Sequence, residues 1–193
     1  NNGSVAIGYA AGITGTTGLN QSVLVGYEAG YTNNNSGNTC LGYQAGLGGE
    51  TAEFTGNTAI GSYAFDGSTT QSISNVVAIG YMAGYDQTTD DEGSIYIGAS
   101  AGANDYGTNR SLFIGYDAGN KNTTGGNNLA IGHKALEDNL TGVHNVVIGR
   151  EAGANLLGNQ NTAVGTYALK TAVTQYYNTA LGDGAMSSST GGD

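Results

Sequence analysis

Proline and tryptophan are missing from this 193-residue chain, and cysteine occurs once. The single thiol, Cys40, excludes an intramolecular disulfide framework. Lys and Arg together number five against fifteen Asp and Glu, a formal charge of −10. That balance argues against binding a nucleic-acid backbone, which needs clustered cations, and against an anionic membrane surface. No run of about 18 apolar residues is present, so no membrane-spanning helix and no membrane insertion are expected. Charged residues of both signs make up only 10%, unlike a highly charged disordered tail. The apolar share, 38%, is modest for one thick core. In place of these the chain has 35 glycines and much Asn, Thr, Ser and Ala. A thin core drawn out along an axis fits that composition.

The decisive feature is an internal repeat. Aligned on an aliphatic–glycine pair, eleven copies follow one another, among them SVAIGYAAG (Ser4 to Gly12), SVLVGYEAG (Ser22 to Gly30), NTCLGYQAG (Asn38 to Gly46), VVAIGYMAG (Val76 to Gly84) and NTAVGTYAL (Asn161 to Leu169). The anchoring glycines are Gly8, Gly26, Gly42, Gly61, Gly80, Gly98, Gly115, Gly132, Gly149, Gly165 and Gly182, spaced 16 to 19 residues apart. The residue before each is Ile, Val or Leu, and the residue three after it is always alanine, from Ala11 to Ala185.

Each copy opens with a short aliphatic run suited to a pleated surface and too short for a useful helix. The glycine ends the run where a positive φ or a close backbone approach is needed, and an Asn/Thr/Ser/Gly segment reads as turns and loop. One copy cannot bury its apolar residues. Stacked copies can pair in parallel at about 4.8 Å per coil, so eleven make a rod of roughly 50 Å. The expected fold is all-β: a parallel β-solenoid, or β-roll, of about eleven 16–19-residue coils, occupying 1–193 as a single repeat domain.

Side chains alternate faces along a strand. The residue just before glycine (Ile7, Val25, Leu41, Ile60 and their equivalents) is assigned to the coil interior as an aliphatic ladder. The residue two before it (Ala6, Leu24, Cys40, Tyr96, Phe113 and their equivalents) then points away, and it too is apolar. A strand apolar on both sides needs cover on both. Either a partner chain covers the second side, or a wide coil buries both faces itself.

The unit [Ser/Asn]-Val-Ala-Ile-Gly with alanine three later, best seen in SVAIG (Ser4 to Gly8) and VVAIG (Val76 to Gly80), resembles the head repeat of trimeric autotransporter adhesins, the YadA-like head. The NTAIGxxA form with its Asn/Thr/Gly spacer also resembles repeats of phage tail fibres and tail-fibre-like bacterial surface proteins. The resemblance spans essentially the whole chain. It implies a left-handed roll, three chains about one axis, and a role in surface attachment. The period is longer than that of adhesin heads, and tyrosine after the glycine is not their usual residue.

Tyr9, Tyr27, Tyr43, Tyr81 and Tyr116 each follow a repeat glycine. They are the candidate ligand-binding residues, an aromatic ladder able to stack on sugar rings; the alternative is that they pack at coil corners. Asp86, Asp90, Asp91 and Glu92 form the densest acidic cluster, a candidate calcium site with Asp105 as a further member, although no EF-hand or Gly-Gly-x-Gly-x-Asp pattern is present. His133 and His144 have no companion ligands at metal-site spacing. Cys40 reads as a small buried hydrophobe. The carboxylates are scattered through the loops and suggest no glycosidase pair; the chain is not expected to be an enzyme and no cofactor is implied.

Beginning inside one repeat and stopping just after another, the chain is expected to be a segment of a longer fibrous protein. The expected function is an extracellular fibre or adhesin segment, at a cell surface or on a virion. It would attach to a cell-surface glycan or protein receptor as a homotrimer or homopolymeric fibre. The alternative is a structural filament or spacer that self-assembles without a ligand. Ice binding would want a regular threonine array, whereas only Thr39, Thr58, Thr162 and Thr179 share a position and the other seven coils carry Val, Ile or Leu.

Overall fold

The computed structural model describes residues 3–13, 20–31, 34–48, 53–67, 73–87, 92–106, 110–171, 174 and 176–188. Among these residues all regular structure is β. In chain order the strands are β1 (Val5–Ile7), β2 (Val23–Val25), β3 (Asn34–Ser36), β4 (Thr39–Leu41), β5 (Glu53–Thr55), β6 (Thr58–Ile60), β7 (Ile73–Ser74), β8 (Val77–Ile79), β9 (Ile95–Ile97), β10 (Leu112–Ile114), β11 (Leu129–Ile131), β12 (Val146–Ile148), β13 (Thr162–Val164) and β14 (Thr179–Leu181).

The eleven repeat strands form one parallel sheet in the order β1-β2-β4-β6-β8-β9-β10-β11-β12-β13-β14. The register never slips: Ile7 pairs with Val25, Val25 with Leu41 and Leu41 with Ile60, and the same match continues to Val164 with Leu181. The chain is therefore a parallel β-solenoid. A second, three-stranded parallel sheet, β3-β5-β7, forms an opposite wall over part of its length, extended by bridges from Ser36 to Asn20 and from Ser74 to Glu92.

The two faces of the long sheet are the reverse of the sequence expectation. The residue two before each glycine points inward: Leu24, Cys40, Ala59, Ala78, Tyr96, Phe113, Ala130, Val147 and Ala163 are fully buried. The residue just before the glycine, assigned above to the interior, faces out. Ile7 is 59% exposed, Leu41 48% and Leu181 77%, and the remaining members of that column are only partly buried. The turn that follows the strand decides this. The repeat glycines hold φ between 121° and 144°, and the residue two later is left-handed in every coil, from Ala10 (φ 53) to Gly184 (φ 63). The alanine N–H then closes back on the glycine carbonyl, as in Ala135 N to Gly132 O at 3.2 Å. This turn carries the alanine column under the inner face, where Ala29 through Ala168 are buried.

The glycine column is a place where no side chain fits. A Cβ on Gly8, Gly26, Gly42 or any later member up to Gly165 would fall inside the contact radius of the next glycine's carbonyl group. Both reasons for a glycine apply here, positive φ and close backbone approach.

Inside the coil, besides buried groups of other positions such as Phe54, Ile73 and Leu156, a bulky side chain comes in most turns from one of two positions. Where the residue four after the glycine is itself Gly, the strand supplies the bulk: Leu24 with Gly30, Cys40 with Gly46, Tyr96 with Gly102, Phe113 with Gly119, Val147 with Gly153. A Cβ on each of those glycines would meet the paired side chain. Where the strand residue is alanine, the later position supplies it: Phe65 with Ala59, Leu136 with Ala130, Leu169 with Ala163. Two coils are small at both positions, the first, with Ala6 and Gly12, and that of Ala78 and Gly84; the latter is filled from its neighbours, since Tyr96 and Phe65 occupy the space beside Gly84. Close packing at fixed coil width explains the exchange.

The Ser or Asn that opens every copy but the one at Val76 also has a structural task. Its side-chain oxygen accepts the backbone N–H of the equivalent residue one coil on: Ser22 Oγ from Asn38 N at 3.1 Å, Asn38 Oδ1 from Asn57 N at 2.8 Å, Asn128 Oδ1 from Asn145 N and Asn145 Oδ1 from Asn161 N at 2.9 Å. The column is buried, so each bond satisfies a backbone donor that water does not reach.

Candidate functional site

Position +1 after the glycine lies on the outer surface, so the tyrosines of the expected ladder are exposed rather than folded against the coil ends. The Tyr9 and Tyr27 rings stack with centroids 5.2 Å apart and an interplanar angle of 14°, and Tyr27 and Tyr43 at 5.1 Å and 7°. Parallel strands about 4.8 Å apart impose that spacing. The next coil carries Ser62 at +1, and Tyr63, one residue later, meets Tyr43 edge-on at 5.2 Å. Tyr81 lies edge-on to Tyr63 at 6.3 Å and 86°, and Tyr85 does so at 6.4 Å and 87°. Ala99 then interrupts the column. Tyr116 is separate and stacks on His133 at 5.4 Å. The structure therefore joins four of the five expected tyrosines through Tyr63 and adds Tyr85; neither of these two stands at +1, which is why alignment on that column passes over them.

Tyr63, Tyr81, Met82 and Tyr85 line an open cavity of about 290 Å³. Carboxylates act electrostatically on two of its tyrosines, Tyr63 and Tyr85. Burial, then the neighbouring Asp86 and Glu28 charges, push the Asp66 carboxyl up to about 6. The Tyr85 phenol is also raised, by burial first and then by Asp66 and Asp86. Asp86 accepts the Tyr106 hydroxyl at 3.0 Å, and its N–H donates to the Asp66 carbonyl at 2.7 Å.

The expected calcium cluster is not assembled among the described residues, where no group of three or more His, Cys, Asp or Glu could hold a metal ion. Asp90 and Asp91 lie outside the described residues. Glu92 pairs with Arg110 at 3.4 Å. Asp105 is inside the coil, accepting the Tyr96 hydroxyl at 2.9 Å and the Asn122 amide at 2.8 Å. It heads a buried polar column, with Asn139 Nδ2 donating to Asn122 Oδ1 at 2.7 Å. His133 and His144 are both exposed. Cys40 is buried, its thiol pushed up to about 12 by desolvation, as suits a core residue.

The basic residues are not available as a cationic patch. All five are in ion pairs: Arg110 with Glu92, Lys121 with Asp138, Lys134 with Glu137, and Arg150 and Lys170 both with Glu151. Around Lys121 and Asp138 a second, larger groove of about 580 Å³ has Leu140, Leu157, Asn155 and Thr171 along it. The broadest apolar surface is the outer face of the long sheet. Its two columns, the residues one and three before each glycine, hold only Val, Ile, Leu and Thr from Val5 and Ile7 to Thr179 and Leu181.

No family model matches the chain, and no curated protein or solved structure matches it either. No helix is long and apolar enough to cross a membrane among the described residues.

Proposed function

We propose that this chain is a segment of an extracellular fibre, at a cell surface or on a virion, and that its copies trimerise through the outer face of the long sheet. The observation that carries this reading is the uncharged aliphatic face running the full length of eleven strands. A soluble monomer rarely exposes so continuous an apolar surface. Identical rungs in fixed register favour a second and third copy of the same chain as its cover, because a symmetric partner repeats at the same spacing. The exposed tyrosines lie beside that face and the loops vary from coil to coil, which suits recognition on a rigid scaffold. On this reading the function is attachment to a cell-surface glycan or protein receptor, and no catalytic group is required.

A second reading is a spacer that polymerises end to end without a ligand. It is favoured by the unbroken register of one repeated strand, since each rung of such a stack can template the next. Light scattering after size exclusion separates the two. Three times the 19.4 kDa chain mass supports the trimer, and large polydisperse particles support the filament. A clean monomer refutes both, and the aliphatic face would then be solvated.

A further inference from the structure

Charge and aromatic rings are distributed unevenly along the rod. Residues 1–109 hold nine of the fifteen carboxylates and nine of the thirteen tyrosines, and contain no Lys, Arg or His. Residues 110–193 hold all five basic residues. The same repeat position is therefore found in two electrostatic settings. Tyr63 and Tyr167 both stand two residues after a repeat glycine, with φ of 56° and 60°. Over the Tyr167 ring lie Lys170 Nζ, 4.7 Å from the centroid, and the Arg150 guanidinium, at 5.4 Å. Glu151 neutralises both cations, at 2.6 Å and 3.2 Å. This is a complete cation–ring–carboxylate arrangement made within the chain.

At Tyr63 the ring and the carboxylates are present and the cation is not. Tyr81 and Tyr85 stand nearly perpendicular to Tyr63, and the three rings line the open 290 Å³ cavity together with Met82. The charges of Asp66 and Asp86 act on Tyr85 in its wall, and that of Asp66 on Tyr63, while residues 1–109 hold no Lys, Arg or His to fill it. We propose that the cavity of Tyr63, Tyr81, Tyr85 and Met82, within the field of Asp66 and Asp86, binds an organic ammonium cation. The ring faces attract the cation through their quadrupoles, and the carboxylates supply the counter-charge. Met82 gives an adaptable apolar wall for alkyl substituents. Burial first, and then the neighbouring carboxylate charges, raise the Asp66 carboxyl and the Tyr85 phenol. The inference does not rest on trimer formation.

The test is titration of the chain, in its natural assembly state and at constant ionic strength and neutral pH, with choline chloride, n-butylammonium chloride and 3,3-dimethylbutan-1-ol. The last is the uncharged isostere of choline. NMR shifts of the tyrosine rings report occupancy. For an open site the expected affinity is millimolar in order of magnitude, with the neutral alcohol at least about tenfold weaker. Tyr85→Leu and Asp66→Asn should each weaken choline binding about three- to tenfold. Tyr85→Phe, which keeps the ring, should bind like the parent, and Tyr167→Leu should be without effect. Tighter choline than butylammonium assigns the site to methylated ammonium groups, and the reverse to primary amines such as a lysine side chain; both support the proposal. Equal binding of the neutral alcohol, no saturable shift below about 50 mM, or parent-like affinity in Asp66→Asn overturns it. Asp66→Asn carries the test if Tyr85→Leu fails to fold.

Discussion

The exchange of bulk between two core positions gives a sharp stability prediction at Leu136. This residue is fully buried and held at φ 55°, with Ala130 on the strand above it. Leu136→Gly removes one buried side chain, which costs about 3–5 kcal/mol when the space cannot collapse. It also relieves a left-handed backbone worth about 1–2 kcal/mol, so the net loss is about 2–4 kcal/mol. Ala130→Leu alone overfills the coil and costs about 1–3 kcal/mol. The double variant rebuilds the Leu24 and Gly30 arrangement of the second coil, where the leucine occupies the space a Cβ on the glycine would take. It should lie within about 1 kcal/mol of the parent, leaving a coupling of roughly 3–6 kcal/mol in favour of the double change. Denaturant unfolding followed by far-ultraviolet circular dichroism and by tyrosine fluorescence measures it. Both probes are needed because repeat arrays do not always unfold in one step. Additive losses in the double variant would refute a single shared volume per coil.

The glycine column should be sensitive in proportion to what lies beneath it. Gly115→Ala puts a methyl group into the Gly132 carbonyl and should prevent folding or lower the unfolding midpoint severely. Gly182→Ala meets nothing within 4 Å and should show only the backbone cost of φ 121°, about 1–3 kcal/mol; equal effects at the two sites would contradict stacking as the cause. Cys40, with its thiol near 12, should resist a disulfide reagent at pH 8 in the folded chain and react at once in denaturant; rapid native labelling would mean that the core is open. Asp66 has a folded value of about 6, above the ordinary carboxyl, because of burial and then Asp86 and Glu28, with the Tyr63 and Tyr85 phenols also facing it. The folded chain then holds the proton more tightly than the unfolded one. The stabilisation it brings is complete below about pH 4 and lost as pH rises through about 6. The shift corresponds to about 3 kcal/mol, reduced to about 1 kcal/mol by solvent reaching the group. Asp66→Asn should flatten that slope, and an unchanged stability profile between pH 4 and 6.5 would contradict the assignment.

Much of the architecture was legible in the chain before folding. The repeat glycines, the aliphatic residue before them and the alanine three later fixed the strand positions and the parallel pairing, because a unit that short can bury apolar surface only by stacking. Spacing also led to Tyr9, Tyr27 and Tyr43, since equivalent positions in successive coils must fall one strand spacing apart. Of the acidic candidates, Asp90 and Asp91 lie outside the described residues. Nearness in sequence at a coil junction does not keep neighbours on one side, and Asp105 went to the interior while Glu92 went to the surface.

Which face of the strand is inner was open to the sequence only as a choice between two apolar columns. Size suggested Ile, Val and Leu for the interior, yet the structure places the mixed column of Ala, Leu, Cys, Tyr and Phe there. The reason is the turn. A glycine with φ near 135° followed by a left-handed residue folds the chain beneath the side opposite Ile7 and its equivalents. The narrow space so enclosed must also admit the alanine column and the residue after it. There the strand residue and the residue after the alanine share room for one bulky group between them, and the larger aliphatic column is left facing outward. Periodicity fixes where a residue recurs; the direction in which the backbone closes fixes what it recurs against.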